Sequence, residues 1–122
     1  MKEPMRVMIV EDDEIAAEIL QQYILHYFPD AEIQWQWDGF EALVRITEFS
    51  PQFIFLDYMM PKLDGMEFLS NLRKLDCCNN AQVIVISAYV DGHKEMEFRK
   101  MGADEVLAKP VEIETIRRLL TA

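Results

Sequence analysis

Four apolar runs in this chain each end on a residue able to do chemistry. MRVMIV (5–10) leads into Glu11, Asp12 and Asp13, FIFL (53–56) into Asp57, QVIVI (82–86) into Ser87, and EVLA (105–108) into Lys109 with Pro110 behind it. Each residue alone has an ordinary explanation. An Asp after a strand caps the next helix, a Ser before a turn is a turn residue, and a Lys is solvated. If the runs are neighbouring parallel strands, however, acids, a hydroxyl and an ammonium group meet at one edge. Carboxylates of Glu11, Asp12 and Asp57 gathered within ~5 Å would repel by about 3 kcal/mol per pair at an effective dielectric of 20. Such a cluster calls for a cation. Oxygen ligands suit Mg²⁺, with Mn²⁺ as the second choice, and no His or Cys stands at these ends to favour zinc or copper. A strand that aims Asp57 at such an ion makes it a nucleophile for a phosphoryl donor, with the charge of the transferring group neutralised beside it.

The elements that must position these residues are legible in the same pattern. Short apolar runs alternate with longer periodic ones, which predicts five strands interleaved with five helices. In the first helix, Ile15, Ile19, Tyr23 and Tyr27 make one four-residue row and Leu20, Ile24 and Phe28 its neighbour, predicting a broadly apolar side. Asp13, the pair Asp38 and Glu41, and Asp64 mark helix starts. MRVMIV, FIFL and QVIVIS are apolar on both faces, as buried parallel strands are. The expected fold is a doubly wound α/β domain with a five-stranded parallel sheet, (βα)5. Ligands of such sheets sit beyond the carboxyl ends of the strands.

Composition narrows the function. At 122 residues with 51% hydrophobic content, one domain spanning 1–122 is expected, with no repeat, linker or low-complexity segment. A net charge of −10 repels phosphate backbones, so direct nucleic-acid binding is not expected. The N-terminal MKEPMRVMIVEDD is neither a signal peptide nor a membrane span, which points to a cytoplasmic protein. Adjacent Cys77 and Cys78 read as free thiols in a turn, since neighbours in sequence rarely reach disulfide geometry.

The Val10-Glu11-Asp12-Asp13 run, Asp57 in D-Y-M-M-P-K-L-D-G, Ser87-Ala88, Gly102-Ala103-Asp104 and Lys109-Pro110, with the intervals between them, resemble the receiver domain of two-component response regulators. The resemblance implies a flavodoxin-like sheet with strand order 2-1-3-4-5, and a phosphorylation switch in which Asp57 accepts phosphate from a histidine kinase or histidine phosphotransfer protein. It implies Mg²⁺ held directly by Asp12, mostly through water by Glu11, and by the backbone carbonyl of Met59. Ser87 and Lys109 would bind the phosphoryl oxygens, and the Lys109-Pro110 bond would be cis. It also implies that the fourth helix, fifth strand and fifth helix, around Met96, Arg99, Val106 and Arg117, carry the readout to an output domain, a partner or a second copy.

Three positions depart from the common pattern. Val106 stands where many receivers carry a Tyr or Phe that turns inward; valine has no ring to turn, and Ser87 remains able to move. Tyr89 is large enough to cover the site, and Phe98 replaces a commonly small residue, so the fourth helix is expected to pack differently. Met59 and Tyr89, two residues after the acceptor and after Ser87, fall where receivers tune self-dephosphorylation. Neither orients water well, which implies a long-lived phosphorylated state.

Other features have ordinary readings. Trp35 and Trp37 share one face of an edge strand, with core packing favoured over partner binding. His26 and His93 are isolated, and Met60 and Met66 fill space around the site. Three other functions fit less well. A haloacid-dehalogenase-type phosphatase needs a second acid where Met59 stands, and a flavin carrier needs a phosphate loop where Glu11-Asp12-Asp13-Glu14 would repel it. A receiver-like scaffold that is never phosphorylated has no support, because every catalytic position is filled. The chain ends at Arg117–Ala122 without a clear stop signal, compatible with a single-domain regulator or with part of a longer protein.

Overall fold

The structure is a computed structural model that describes residues 3–60, 63–75, 80–88 and 90–121, with residues 59–60 and 63–66 described by their backbone alone. Along the chain run β1 (Arg6–Val10), α1 (Glu14–Tyr27), β2 (Glu32–Gln36), α2 (Gly39–Phe49), β3 (Phe53–Asp57), β4 (Met59–Met60), β5 (Leu63–Asp64), α3 (Gly65–Arg73), β6 (Gln82–Ser87), α4 (Gly92–Lys100), β7 (Glu105–Ala108) and α5 (Ile113–Thr121). Five strands form one parallel sheet in the order β2-β1-β3-β6-β7, the expected 2-1-3-4-5 order of main-sheet strands. The short β4–β5 antiparallel pair after Asp57 was not expected from the sequence.

Strand alternation divides the core in two. Met8, Val10, Ile54, Leu56, Val83 and Val85 face one layer with Ile46 of α2, Phe68 and Leu72 of α3 and Phe98 of α4. Val7, Ile9, Phe55, Ile84 and Ile86 face the other with Ala17, Leu20 and Ile24 of α1 and Ile116 and Leu120 of α5. The three central strands are therefore buried on both sides, whereas β2 and β7 are edges with half-buried residues.

Asp13 and Asp38 cap helices as expected, and Asp64, described by its backbone alone, directly precedes α3. Asp13 Oδ1 accepts from Ile15 N at 3.0 Å and Asp38 Oδ1 from Phe40 N at 2.8 Å. Glu41 lies 3.6 Å from Arg45, one turn on along the exposed side of α2. Asp91, which carried no expectation, caps α4 through Lys94 N at 2.8 Å. The broad apolar side expected for α1 is only half covered. Ala17, Leu20 and Ile24 are buried, while Ile15 and Ile19 stand 69% and 44% exposed, because α5 is the only helix beside α1 on that face of the sheet among the described residues. Among the described residues no helix is long and apolar enough to cross a membrane. Cys77 and Cys78 lie outside the described residues.

Candidate functional site

Parallel pairing brings the strand-end residues together. Val10 pairs with Leu56, so Glu11 and Asp57 each stand one residue beyond that pair, side by side at the ends of neighbouring strands. Asp57 pairs with Ile86, placing Ser87 one residue further along β6, and Ser87 pairs with Ala108, placing Lys109 just beyond β7. The Ser87 carbonyl accepts from Lys109 N at 2.9 Å, and Ile86 O accepts from Tyr58 N at 3.0 Å, so the strand ends are tied past the sheet itself. Carboxylate oxygens of Glu11, Asp12 and Asp57 lie within 4.8 Å of one another. Glu11 and Asp57 are each 6% exposed, and Asp12 is open to solvent. Lys109 Nζ stands 3.6 Å from both Glu11 Oε1 and Asp57 Oδ1.

One ammonium does not balance this charge. Burial first, then a carboxyl–carboxylate hydrogen bond with Asp57 and the Asp57 charge, push Glu11 up to about 8 from an ordinary 4.5, against the pull of Lys109. Glu11 thus holds a proton near neutrality when no cation is present. Its buried Oε2 has no hydrogen-bond partner among the described residues. An orphaned buried oxygen within a set of three oxygen-donor acids is what a hard divalent cation requires, and the donor chemistry fits such an ion.

The remaining expectations divide. Ser87 is buried (3% exposed) at the edge of the cluster. Met59 lies two residues beyond Asp57 in β4, its backbone alone described, and Met60 and Met66 are likewise described by backbone alone. Tyr89 lies outside the described residues. The Lys109-Pro110 bond is cis. Val106 is half buried against the α2–α4 layer. Phe98 is fully buried in that layer and meets Tyr58 edge to face, with ring centroids 4.8 Å apart. That contact was not foreseen, although Tyr58 is the residue after Asp57. Lys94 caps the same ring, with Nζ 3.4 Å from Tyr58 Oη and 5.3 Å from the ring centroid. Trp35 and Trp37 part company: Trp35 packs on the α1–α5 layer while Trp37 is 67% exposed. His93 is a surface residue paired with Glu97 at 2.9 Å, and His26 packs edge-on against Tyr27.

Residues 7–121 match the family model of the response regulator receiver domain. The chain belongs to that family. Among relatives, the response regulator MprA of Mycobacterium sp. (strain KMS) is 31% identical over 113 residues, covering 93% of this chain and 47% of that protein. The chain spans about half the length of the curated relatives it matches most strongly. Among solved structures, the chemotaxis response regulator CheY4 of Vibrio cholerae has the same fold, with a TM-score of 0.88 at 23% identity over 98% of both chains. The Mn²⁺-bound form of the response regulator Rcp1 has a TM-score of 0.78 at 20% identity, covering 96% of this chain and 89% of its own. As a receiver domain, this protein takes part in two-component phosphorylation signalling.

Proposed function

We propose that residues 1–122 form a receiver switch in which Asp57 accepts a phosphoryl group from a histidine kinase or histidine phosphotransfer protein. The observation that carries this reading is the buried Glu11–Asp57 pair, with Asp12 beside it and Lys109 at 3.6 Å from both. An oxygen of Asp57 forms the new P–O bond while the P–N bond to the donor histidine breaks and the imidazole leaves. Glu11, Asp12, Asp57 and the Met59 carbonyl would hold a divalent ion, Mg²⁺ by availability, with the Mn²⁺ form of Rcp1 on the same fold as a precedent. When bound, such an ion neutralises the acids and stabilises charge on the transferring group. Lys109 then pairs with the added charge, and Ser87 binds another phosphoryl oxygen.

The donor approaches from the open side. A groove of about 420 Å³, lined by Ile19, Tyr23, Ile86, Lys109 and Pro110, adjoins Glu11 and offers an apolar wall next to the acids. Output passes through α4, β7 and α5 to an output domain, a partner or a second copy. Arg99 Nη1 donates to Asp104 O at 2.7 Å, so a shift of α4 is felt at the start of β7. Met96, 61% exposed on α4, gives that surface an apolar contact. The domain turns over no external substrate, acts in the cytoplasm, and neither nucleic acid nor membrane is its direct partner. Shielding of the phosphoryl group by Met59 and Tyr89 would make its loss slow.

Acetyl phosphate with Mg²⁺ tests the central claim. Intact mass should rise by one phosphoryl group, stable in acid and labile in base, and Asp57→Asn should abolish the gain. Modification that survives Asp57→Asn assigns the nucleophile elsewhere.

A further inference from the structure

The acids must hold their places against their own repulsion, and the peptide joining Glu11 to Asp12 sets the direction of both side chains. That peptide lies just past the end of the β1–β2 ladder, whose last pair is Val10 with Gln36. Glu11 N donates to Gln36 O at 3.0 Å, which continues the strand pattern by one bond. The Glu11 carbonyl on the other side takes a side chain instead. Trp35 Nε1 donates to it at 2.7 Å, from a residue on the neighbouring strand paired with Ile9. An indole N–H is a donor only, so this contact has a single polarity and cannot reverse to suit a rotated peptide.

The ring that delivers this bond is itself held. Its body packs on the α1–α5 core layer, and Trp37 meets it edge to face with centroids 5.7 Å apart at 89°. We propose that Trp35 is a positioning residue for the acid site, which fixes the Glu11–Asp12 peptide through its indole N–H so that both carboxylates converge on Asp57. The inference rests on the reading of Glu11, Asp12 and Asp57 as a divalent-cation site. Trp35 touches neither the ion nor the phosphoryl group and acts only through the backbone of Glu11. Residues that orient metal ligands in this way affect metal affinity about 10- to 100-fold when changed.

Trp35→Phe keeps an aromatic ring and removes the donor, while Trp37→Phe changes the neighbouring exposed ring and leaves the bond in place. Mg²⁺ affinity of the whole chain should be measured by calorimetric titration for the parent and both variants, beside a thermal melt of each. We expect Trp35→Phe to weaken Mg²⁺ binding about tenfold and Trp37→Phe to stay within about twofold of the parent. Phosphorylation of Trp35→Phe should recover the parent rate at saturating Mg²⁺, a split that general loosening of the fold would not produce. Should Trp35→Phe fail to fold, the parent decides: the Trp35 indole N–H resonance should shift as Mg²⁺ is added, while that of Trp37 moves little. Parent-like Mg²⁺ affinity in a folded Trp35→Phe overturns the inference, as does a Trp35 indole resonance that ignores Mg²⁺. A parent that binds no Mg²⁺ instead fails the cation-site reading itself and takes this inference with it.

Discussion

The two ends of the sheet use the same kinds of charge to opposite effect. At the carboxyl end, Glu11 and Asp57 are buried beside Lys109 at 3.6 Å, and Glu11 Oε2 has no hydrogen-bond partner among the described residues. At the amino end, Arg73 from the last turn of α3 reaches Ala81 O at 3.0 Å, Gly102 O at 2.6 Å and Asp104 Oδ2 at 2.8 Å. Asp104 Oδ2 also accepts from Val83 N at 2.8 Å. This second cluster joins the end of α3, the start of β6 and the loop before β7. Its cation and anion match, and its donors meet fixed backbone acceptors. A polar group buried with its partners rigidifies the fold, whereas one buried without them stores free energy that a ligand can release. The amino-end cluster ties α3, β6 and β7 together, and the carboxyl-end cluster is the one that the proposed function has a cation and a phosphoryl group complete.

That contrast breaks most visibly at Arg73. Arg73→Leu leaves the carbonyls of Ala81 and Gly102 and the Asp104 carboxylate without this cation, and should cost about 3 kcal/mol, discounted for partial exposure of both side chains. Urea unfolding reads the loss, while Mg²⁺ affinity should remain near the parent value. An equal effect on both would erase the division between the two ends.

At the other end, the expected response is to metal. Mg²⁺ at 100 times its Kd should stabilise the fold by about 2.7 kcal/mol if the unfolded chain binds none. Asp57→Asn should raise metal-free stability by relieving one repulsion and should shrink the Mg²⁺ response. Superimposable melts of the parent with and without Mg²⁺ would contradict the first expectation, and a metal-free Asp57→Asn no more stable than the parent would contradict the second.

Gly102 offers a smaller perturbation of the satisfied end. Its φ of +117° lies where side chains are rarely found, and a Cβ there would come 2.8 Å from Arg73 Cγ. Gly102→Ala should therefore cost about 2 kcal/mol, read by unfolding, again without affecting the acid site.

The smallest effect per step of the measured variable is a slope with pH. Glu11 has a folded pKa of about 8 against 4.5 unfolded, so the folded state retains a proton that the unfolded state has lost. The stability this contributes is fully present below about pH 4.5 and is lost as pH rises through about 8. Metal-free stability should thus fall between pH 5 and pH 8, no more steeply than one proton allows, roughly 1.4 kcal/mol per pH unit. Glu11→Gln should flatten the slope. A slope unchanged in Glu11→Gln would assign it to another group.

The main sheet was legible because parallel strands buried on both faces have few apolar alternatives, and because MRVMIV, FIFL and QVIVIS stop where charge begins. Glu11, Asp12, Asp57 and Lys109 could be grouped from the same pattern, since the carboxyl ends of parallel strands share one edge. The Tyr58–Phe98 contact was not legible. It joins residues 40 positions apart through ring orientation, which no local pattern specifies. Arg73 went unnoticed for the same reason: it is an ordinary Arg in the last turn of a helix until Gly102 and Asp104 are folded back onto it.

Sequence alone determined the number of main-sheet strands and helices, their succession along the chain and which residues stand at the strand ends, because periodicity and run length are local properties of the backbone. Tertiary structure alone decided how much of each face is covered. Trp35 lies in β2 and Trp37 one residue past its end, two positions apart as a shared strand face would require, yet only Trp35 reaches the core layer and donates to Glu11 O, while Trp37 stays 67% exposed. Ile15 and Ile19 are as apolar as Leu20 and Ile24, yet they stand at the surface while the others are buried. A two- or 3.6-residue period says which side chains point the same way, and only the packed neighbour decides which of them leave water.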